Sequence, residues 1–440
     1  MGFMDRFIAK ADATPAARKP GVFAALDIGT SKTVCFIAKT EQTLAGLRAR
    51  VIGVGHQSTR GIKAGAVIDM DEAAKSVRIA IENAERLAGH TITEVYLSTM
   101  VGNPVSARIG VDMDIAASEV SDRDLRRVLA TALAEHEAPG RALLHALPIS
   151  WRVDGHRGVR DPRGMFGNTL GVDLHLISAA CEPLQNLMAC IERCQLSVAG
   201  VVATPLAAGL SVLTPDENEL GALVIDMGAH ATSFGVFAEG GLQHVDAIPI
   251  GGAHVTNDIA RGLQTPVMAA ERIKALHGCA LDSPDDDQVM IETPPVSNDA
   301  DASMSQQPRA LLNAIIRPRL EEIFEIGRER LKAAGVEQAS GRSVVLTGGA
   351  SQLPGITELA SRVLGKQARL GGAEGLTGLG DAVSGPAFSA CAGVINRCVS
   401  GPVEAISGPP RLIQNGPVRS SFDGRDRGPA AVLRWFAESF

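Results

Sequence analysis

Leu26-Asp27-Ile28-Gly29-Thr30-Ser31-Lys32-Thr33 joins two apolar runs, residues 22–26 and residues 34–38. Short apolar runs bounded by turn residues read as buried strands, so this stretch predicts a tight hairpin. Its turn offers small side chains, hydroxyls and backbone N–H groups. Such a surface suits phosphate oxygens, because small residues let the backbone approach them closely. Asp27, at the strand end, is placed to hold Mg²⁺ through water, and Lys32 to meet phosphate charge. Taken singly, the motif is also that of an ordinary hairpin.

The pattern returns further along. Ala222-Leu223-Val224-Ile225-Asp226-Met227-Gly228-Ala229-His230-Ala231-Thr232-Ser233 again gives a strand ending in Asp, a Gly turn and hydroxyls, ahead of the apolar run 234–237. A third element, Val344-Val345-Leu346-Thr347-Gly348-Gly349-Ala350-Ser351, puts two glycines between a strand and Leu353-Pro354-Gly355-Ile356. Two Asp–Gly hairpins facing across a cleft, with a Gly-Gly turn beside them, resemble the two-lobed α/β fold of actin, sugar kinases and heat-shock-chaperone ATPases. The set of three is far more specific than any one member.

At 440 residues the chain is long enough for two domains or more. A net charge of −7 and only 3% aromatic residues exclude a basic, base-stacking nucleic-acid surface. The seven cysteines form no C-x-x-C pair, and their odd number, without a signal peptide, points to a reducing cytosol. Cys190 and Cys194 sit a helical turn apart and read as core packing. No H-E-x-x-H occurs among the histidines, and no apolar run reaches the roughly 20 residues that span a bilayer.

In chain order, residues 1–20 read as an extension. Phe3, Met4, Phe7 and Ile8 at helical spacing suggest a short helix docked on the body, or one touching a membrane. Ala74, Val77, Ile81, Ala84 and Leu87 predict a helix over 71–88. Residues 89–177 read as an inserted strand–helix–strand module without a catalytic constellation, its helix capped by Ser121 with Asp124 at the capping-box position. Residues 186–195 predict a helix, and the small residues after Pro205 predict one that crosses closely between two domains. Residues 250–260 read as a Gly turn opening a helix whose N-terminus offers free N–H groups to a ligand. Glu271 and Lys274, a turn apart, read as a solvated ion pair. Residues 282–309 read as an exposed hairpin or loop, and 310–334 as a long helix whose arginines form a solvated face or a partner surface. Residues 381–398 predict the last helix of the body.

Residues 400–428, rich in Gly, Pro, Ser and Arg, read as a linker. In residues 429–440, Leu433, Phe436 and Phe440 share one helical face, with Val432 near it and Trp435 flanking it. At about 1.5 Å per residue this helix is too short to cross a bilayer, but it suits the membrane interface. Docking on the protein's own core is the alternative, which the linker disfavours.

These features together resemble FtsA, the actin-like family of bacterial cell division, from about Phe23 to Val399. The distinctive stretches are residues 26–33, Ile191-Glu192-Arg193-Cys194-Gln195-Leu196, residues 205–213, residues 248–260, Ile315-Ile316-Arg317-Pro318-Arg319-Leu320 and residues 346–356. The resemblance implies a first lobe (1A) from 21–88, 178–210 and 372–399, interrupted at 89–177 by subdomain 1C. It implies a second lobe (2A) from 211–260 and 341–371, with subdomain 2B at 261–340. Asp27, Gly29, Thr30, Ser31 and Lys32 would form the first phosphate turn of an ATP site. Asp226, Gly228, Ala229 and His230 would form the second, with Mg²⁺ between Asp27 and Asp226. Gly251, Gly252, Glu271, Lys274, Gly348, Gly349 and Ala350 would surround the adenosine. Arg317 and Arg319 would meet the acidic C-terminal peptide of FtsZ, since arginine forks suit carboxylates.

Two positions depart from the family pattern. The second turn, usually glycine-rich, has side chains at Ala229 and His230, and Thr204 precedes Pro205 where the family often has Glu. A carboxylate there would orient an attacking water, which threonine does poorly. The expectation is therefore ATP binding with hydrolysis slow or absent, in a polymerising protein. It would tether FtsZ filaments to the cytoplasmic face of the inner membrane at the division site, contacting other division proteins through 1C and lipids through Val432, Leu433, Trp435, Phe436 and Phe440. The alternatives are a PilM-like assembly scaffold and a metabolite kinase of the same superfamily.

Overall fold

The structure is a computed structural model that describes residues 21–43, 46–115, 119–134, 136, 138–296, 304–400 and 404. Residues 1–20, residues 429–440 with the expected membrane contacts Val432, Leu433, Trp435, Phe436 and Phe440, and, apart from Ser400 and Glu404, the expected linker lie outside the described residues.

The first lobe opens with β1 (Val22–Ile28), β2 (Lys32–Thr43) and β3 (Gly46–Ser58), an antiparallel meander. A short hairpin, β4 (Ile62–Lys63) and β5 (Ala66–Val67), leads to α1 (Met70–Ala88) and then β6 (Glu94–Thr99). The Asp69 carboxylate caps α1, accepting from the N–H groups of Asp71 (3.0 Å) and Glu72 (3.1 Å), and Gly89 ends it at φ 61°. Ala74, Val77, Ile81 and Ala84 are buried as their spacing predicts, but Leu87 in the last turn is exposed. Two glycines of β3 explain how closely α1 packs. A Cβ on Gly53 would lie 2.2 Å from the Ala84 carbonyl oxygen, and one on Gly55 1.8 Å from that of Ala80.

The inserted module comprises β7 (Val105–Asp114), α2 (Asp122–Ala134), β8 (Arg141–Val153), β9 (His156–Val159) and β10 (Thr169–Ala180), in the antiparallel order β7-β10-β8-β9. Its helix start differs from the expected cap. The Ser121 hydroxyl donates to the Asp124 carboxylate (2.6 Å), which also accepts the Ser121 N–H (3.1 Å). Only the carboxylate half of the capping box is made.

The chain then returns through α3 (Cys181–Glu192), β11 (Ser197–Ala203) and α4 (Thr204–Val212). α3 starts earlier than its apolar spacing suggested, because Pro183 is tolerated in a first turn. It stops before Gln195, which adopts φ 62°.

The second lobe repeats the plan. After α5 (Pro215–Leu220) come β12 (Ala222–Met227), β13 (Thr232–Ala238) and β14 (Gly241–Ile248), then α6 (Gly252–Gly262) and α7 (Val267–His277). An outlying hairpin of β15 (Met290–Thr293) and β16 (Ser305–Pro308) precedes α8 (Arg309–Ala333). The lobe closes with β17 (Ser343–Thr347), α9 (Ile356–Leu364) and β18 (Gln367–Leu370), and α10 (Ser389–Ser400) returns to the first lobe. The last helix therefore starts at Ser389, not near Asp381; Gly380, Gly385 and Pro386 break the preceding stretch into two short 3₁₀ turns.

The five-stranded sheets run β11-β6-β1-β2-β3 and β18-β17-β12-β13-β14, so each central Asp-bearing strand has an antiparallel partner on one side and a parallel one on the other. α4 and α10 lie between the sheets. Ala25 and Phe36 of the first sheet and Val224, Phe237 and Val345 of the second share their core with Ala207, Ala208, Val394 and Ile395. The crossing is close, as the small residues predicted: a Cβ on Gly393 would lie 1.6 Å from the Ala207 carbonyl oxygen. Among the described residues, no helix is long and apolar enough to cross a membrane.

Candidate functional site

The two Asp–Gly hairpins close alike. In the first, the Gly29 N–H donates to the Lys32 carbonyl at 2.9 Å; in the second, Gly228 donates to Ala231 at 2.9 Å. Asp27 is registered between Val34 and Ser98, and Asp226 between Ser233 and Thr347. The duplicated topology thus brings two carboxylates to equivalent strand ends, close enough that the Asp27 charge acts on Asp226. Burial and the Asp27 charge push the Asp226 carboxyl up to about 7, opposed by Lys32. Burial also raises Asp27, opposed by Lys32 and by a hydrogen bond from Ser98. Burial lowers the Lys32 ammonium, which both aspartates pull back up.

A divalent cation suits this arrangement. Two hard carboxylates repel across a desolvated gap, and no cluster of three or more acidic, His or Cys ligands exists among the described residues. Mg²⁺ is commonly held by one or two carboxylates, with phosphate and water completing its shell.

Around the second turn the structure corrects one expectation. The first N–H groups of α6 are already used: Gly252 donates to the Gly228 carbonyl (2.9 Å) and Ala253 to that of Ala229 (2.7 Å). The Gly251 N–H donates to His254 Nδ1 (3.1 Å). The helix start therefore braces the turn, and its first N–H groups are not free for a ligand. The close approach requires glycine, since a Cβ on Gly251 would lie 2.5 Å from the Gly228 oxygen. His230 sits in this turn with its ring 5.9 Å from that of His254. Its Nδ1 is buried without a partner among the described residues. Burial, His254 and Lys63 hold the imidazole below its usual range, hence neutral.

Gly348 follows β17 at φ 86°, and a Cβ there would lie 2.2 Å from Asp226 Oδ1; Gly349 has open space. Nearby, a Cβ on Gly252 would lie 2.8 Å from that of Ala350. Lys274 is not a solvated partner of Glu271. With its side chain 16% exposed, it donates to Glu271 Oε2 (2.7 Å), Thr256 Oγ1 (2.8 Å) and the Gly252 carbonyl (3.1 Å). Gly252, Glu271, Lys274 and Ala350 thus lie together, Gly251 packs on the Gly228–Ala229 turn, and Gly348 lies against Asp226.

In the first turn, Thr30 is half-buried and Ser31 exposed, and the Ser31 carbonyl accepts the Thr59 N–H (3.0 Å). Thr204 Oγ1 lies 3.1 Å from Ser98 Oγ, so it reaches Asp27 through a hydroxyl and supplies no carboxylate. Sequence reasoning missed Ser98, Thr256 and the Pro386–Phe388 turn, which have no local signature.

Arg317 and Arg319 lie apart, on α8. Arg319 forks onto Asp258 (2.6 and 3.2 Å) and also pairs with Glu322, while Arg317 pairs with Asp282 and, at 3.7 Å, Glu321. Both are already neutralised by internal acids, so an acidic peptide would have to exchange with them.

The family model described as Cell division protein FtsA matches residues 223–393, and that of the SHS2 domain inserted in FTSA matches residues 103–178. The cell division protein FtsA of Rhizobium meliloti (strain 1021) is 43% identical over 386 residues, covering 86% of this chain and 87% of that one. That of Agrobacterium fabrum is 40% identical, covering 97% and 96%, and that of Escherichia coli (strain K12) is 34% identical, covering 84% and 89%. Among solved structures, the PilM–PilN type IV pilus biogenesis complex aligns at TM-score 0.61 and 17% identity, covering 86% of this chain and 99% of that one. MreB5 of Spiroplasma citri bound to ADP aligns at TM-score 0.51 and 11% identity, covering 88% and 100%. At these identities the structural matches speak for the fold alone, the actin-like two-lobed α/β fold, and the SHS2 match identifies the inserted module.

Proposed function

The chain belongs to the FtsA family of cell division proteins, and from that premise we propose that it binds ATP with Mg²⁺ between its lobes, polymerises, and tethers FtsZ filaments to the cytoplasmic membrane. The observation that carries the nucleotide part is the pair of matched Asp–Gly turns, with Lys32 within electrostatic reach of both Asp27 and Asp226. Mg²⁺ would neutralise the carboxylates against the phosphates. Gly29, Thr30, Ser31 and Lys32 receive one side of the phosphate chain; Gly228, Ala229 and His230 receive the other. The unpartnered Nδ1 of His230 supports that assignment, because a buried polar nitrogen without a partner is costly. Gly251, Gly252, Glu271, Lys274, Gly348, Gly349 and Ala350 wall the adenosine. With Thr204 in place of a carboxylate, the bound nucleotide turns over slowly or not at all and sets the angle between the lobes.

Arg317 and Arg319 receive the acidic FtsZ tail by exchanging Asp282 and Asp258 for its carboxylates. The inserted module meets other division proteins. The terminal helix, through Val432, Leu433, Trp435, Phe436 and Phe440, lies in the membrane interface. One such helix binds reversibly, and a polymer presenting many holds firmly.

Liposome co-sedimentation with Mg-ATP tests this, comparing the full chain with one ending at Gly428. The full chain pellets and the shortened chain stays in solution if the tail is the anchor. Equal behaviour of the two overturns the anchoring role. In the same assay, the FtsZ C-terminal peptide is retained by the full chain and lost from Arg319→Ala.

A further inference from the structure

Lys32 does not point free into the cleft. Its ammonium donates to the Ala387 carbonyl and sits 4.0 Å from the centroid of the Phe388 ring. Phe388 is itself fixed. Its ring lies nearly parallel to Phe36 at 6.2 Å, and its N–H donates to the Gly385 carbonyl at 3.1 Å. The preceding carbonyl, of Pro386, faces the second lobe: it accepts the Gly348 N–H (3.1 Å) and lies 3.1 Å from Thr347 Oγ1. The Pro386–Phe388 turn therefore grips Lys32 of the first lobe on one side and the Gly348 turn of the second on the other.

We propose that Ala387 and Phe388 form an internal dock for the Lys32 ammonium that competes with nucleotide phosphate, so that binding must draw Lys32 off the dock. This rests on the nucleotide reading of the cleft. Both groups of the dock are uncharged, a carbonyl and a ring face, and phosphate is a stronger partner for an ammonium. The flexible four-carbon stem, rooted beside Gly29–Ser31, allows the exchange. Until phosphate arrives, the dock keeps the ammonium satisfied in a desolvated place. Its loss subtracts from nucleotide affinity, and it frees the turn that carries Pro386 against Gly348.

The test is a cycle of variants of the full chain, titrated with a fluorescent ATP analogue and Mg²⁺ and checked for folding by thermal melting. Phe388→Leu removes the ring face and binds about two- to fivefold more tightly than the unaltered chain. Phe388→Tyr keeps the face and matches the unaltered chain. In a Lys32→Met background, Phe388→Leu changes nothing. A weakened Phe388→Leu, or an equal gain without Lys32, overturns the dock. If the unaltered chain binds no nucleotide, the nucleotide reading falls and the dock with it; if it binds and Phe388→Leu has no effect, the dock alone falls. Should Phe388→Leu fail to fold, amide exchange in the unaltered chain decides. Exchange at Phe388 quickens on adding Mg-ATP if Lys32 leaves, and unchanged or slower exchange overturns the proposal.

Discussion

Gly348 and Gly349 are neighbours with opposite demands, and replacing each by alanine separates them. At φ 86° and ψ 166°, Gly348 occupies a region that is essentially glycine-only, worth about 1–3 kcal/mol of strain for alanine. Its new Cβ would also lie 2.2 Å from Asp226 Oδ1, 2.6 Å from the Met227 carbonyl oxygen and 2.7 Å from the Met227 nitrogen. The carboxylate can rotate, but the two backbone atoms belong to the central strand β12 and move only if the sheet shifts. Overpacking of this kind adds about 1–3 kcal/mol, for a combined cost of about 4 kcal/mol. In a lobe of its size each kcal/mol lowers the melting temperature by about 2–4 °C, so Gly348→Ala lowers that of the second lobe by about 8–16 °C. Gly349→Ala meets nothing within 4 Å and has no positive φ, so it leaves the melting temperature unchanged or slightly raised. Calorimetry on both full-length variants is the assay, followed by titration with Mg-ATP. Because the Gly348 Cβ intrudes on Asp226, that variant also binds nucleotide less tightly. Equal melting of the two variants would refute this account of the turn.

Gly393→Ala places a Cβ 1.6 Å from the Ala207 oxygen where α4 crosses α10; the variant loses more than about 3 kcal/mol in urea unfolding or fails to accumulate as soluble protein. Glu217, held at about 2 chiefly by the Arg369 guanidinium, has its pKa depressed by folding. Its contribution is complete above the ordinary glutamate range and is lost as pH falls toward 2. Glu217→Gln costs about 2 kcal/mol at pH 7, and its deficit against the unaltered chain shrinks on acidification from pH 4.5. His175 is fully buried between the Leu242 carbonyl (2.9 Å) and Ser106 Oγ (2.9 Å), and burial pushes its imidazole down to about 3. A depressed histidine contributes stability above its unfolded pKa and loses it as pH falls. The unaltered chain should therefore weaken from pH 6.5 downward by on the order of 3 kcal/mol, and His175→Gln should weaken less over that window, as read from denaturant midpoints.

The hairpins were legible because their signal is local: a strand, an Asp at its end, a glycine and a hydroxyl fit within a few residues, and the pattern occurs twice. The Gly-Gly turn was legible for the same reason, although only the structure distinguishes Gly348 from Gly349. What stayed hidden was the pairing of polar groups distant in the chain. Nothing near Lys274 announces Thr256, and nothing near Asp27 announces Ser98. The N-terminus of α6 reads as an anion site until the Gly228 and Ala229 carbonyls are found occupying its donors. Arg317 and Arg319 likewise read as free forks because Asp282 and Asp258 reach them from other elements. The long strand β3 was hidden because Gly53 and Gly55, which weaken a strand pattern, are there to admit α1.

The side chain of Glu404, just past the end of α10, is 4% exposed, with one carboxylate oxygen 2.8 Å from His145 Nδ1 of β8 and also paired with Arg397. The other nitrogen of His145 accepts the Ala203 N–H at 2.9 Å, where β11 meets α4. On the far side of the same module, Ser106 and His175 hold the edge strand β14 through Leu242 and Val245. Tension on the chain beyond Glu404, such as a membrane anchor would exert, thus enters as shear on a histidine wedged between module and body. The Arg397 pair passes part of the same load to the last helix, α10. From the histidine the load divides: one branch runs along β11 into the first sheet, and the other passes through the module to the outer edge of the second. A force applied at Glu404 would therefore bear on both halves at once.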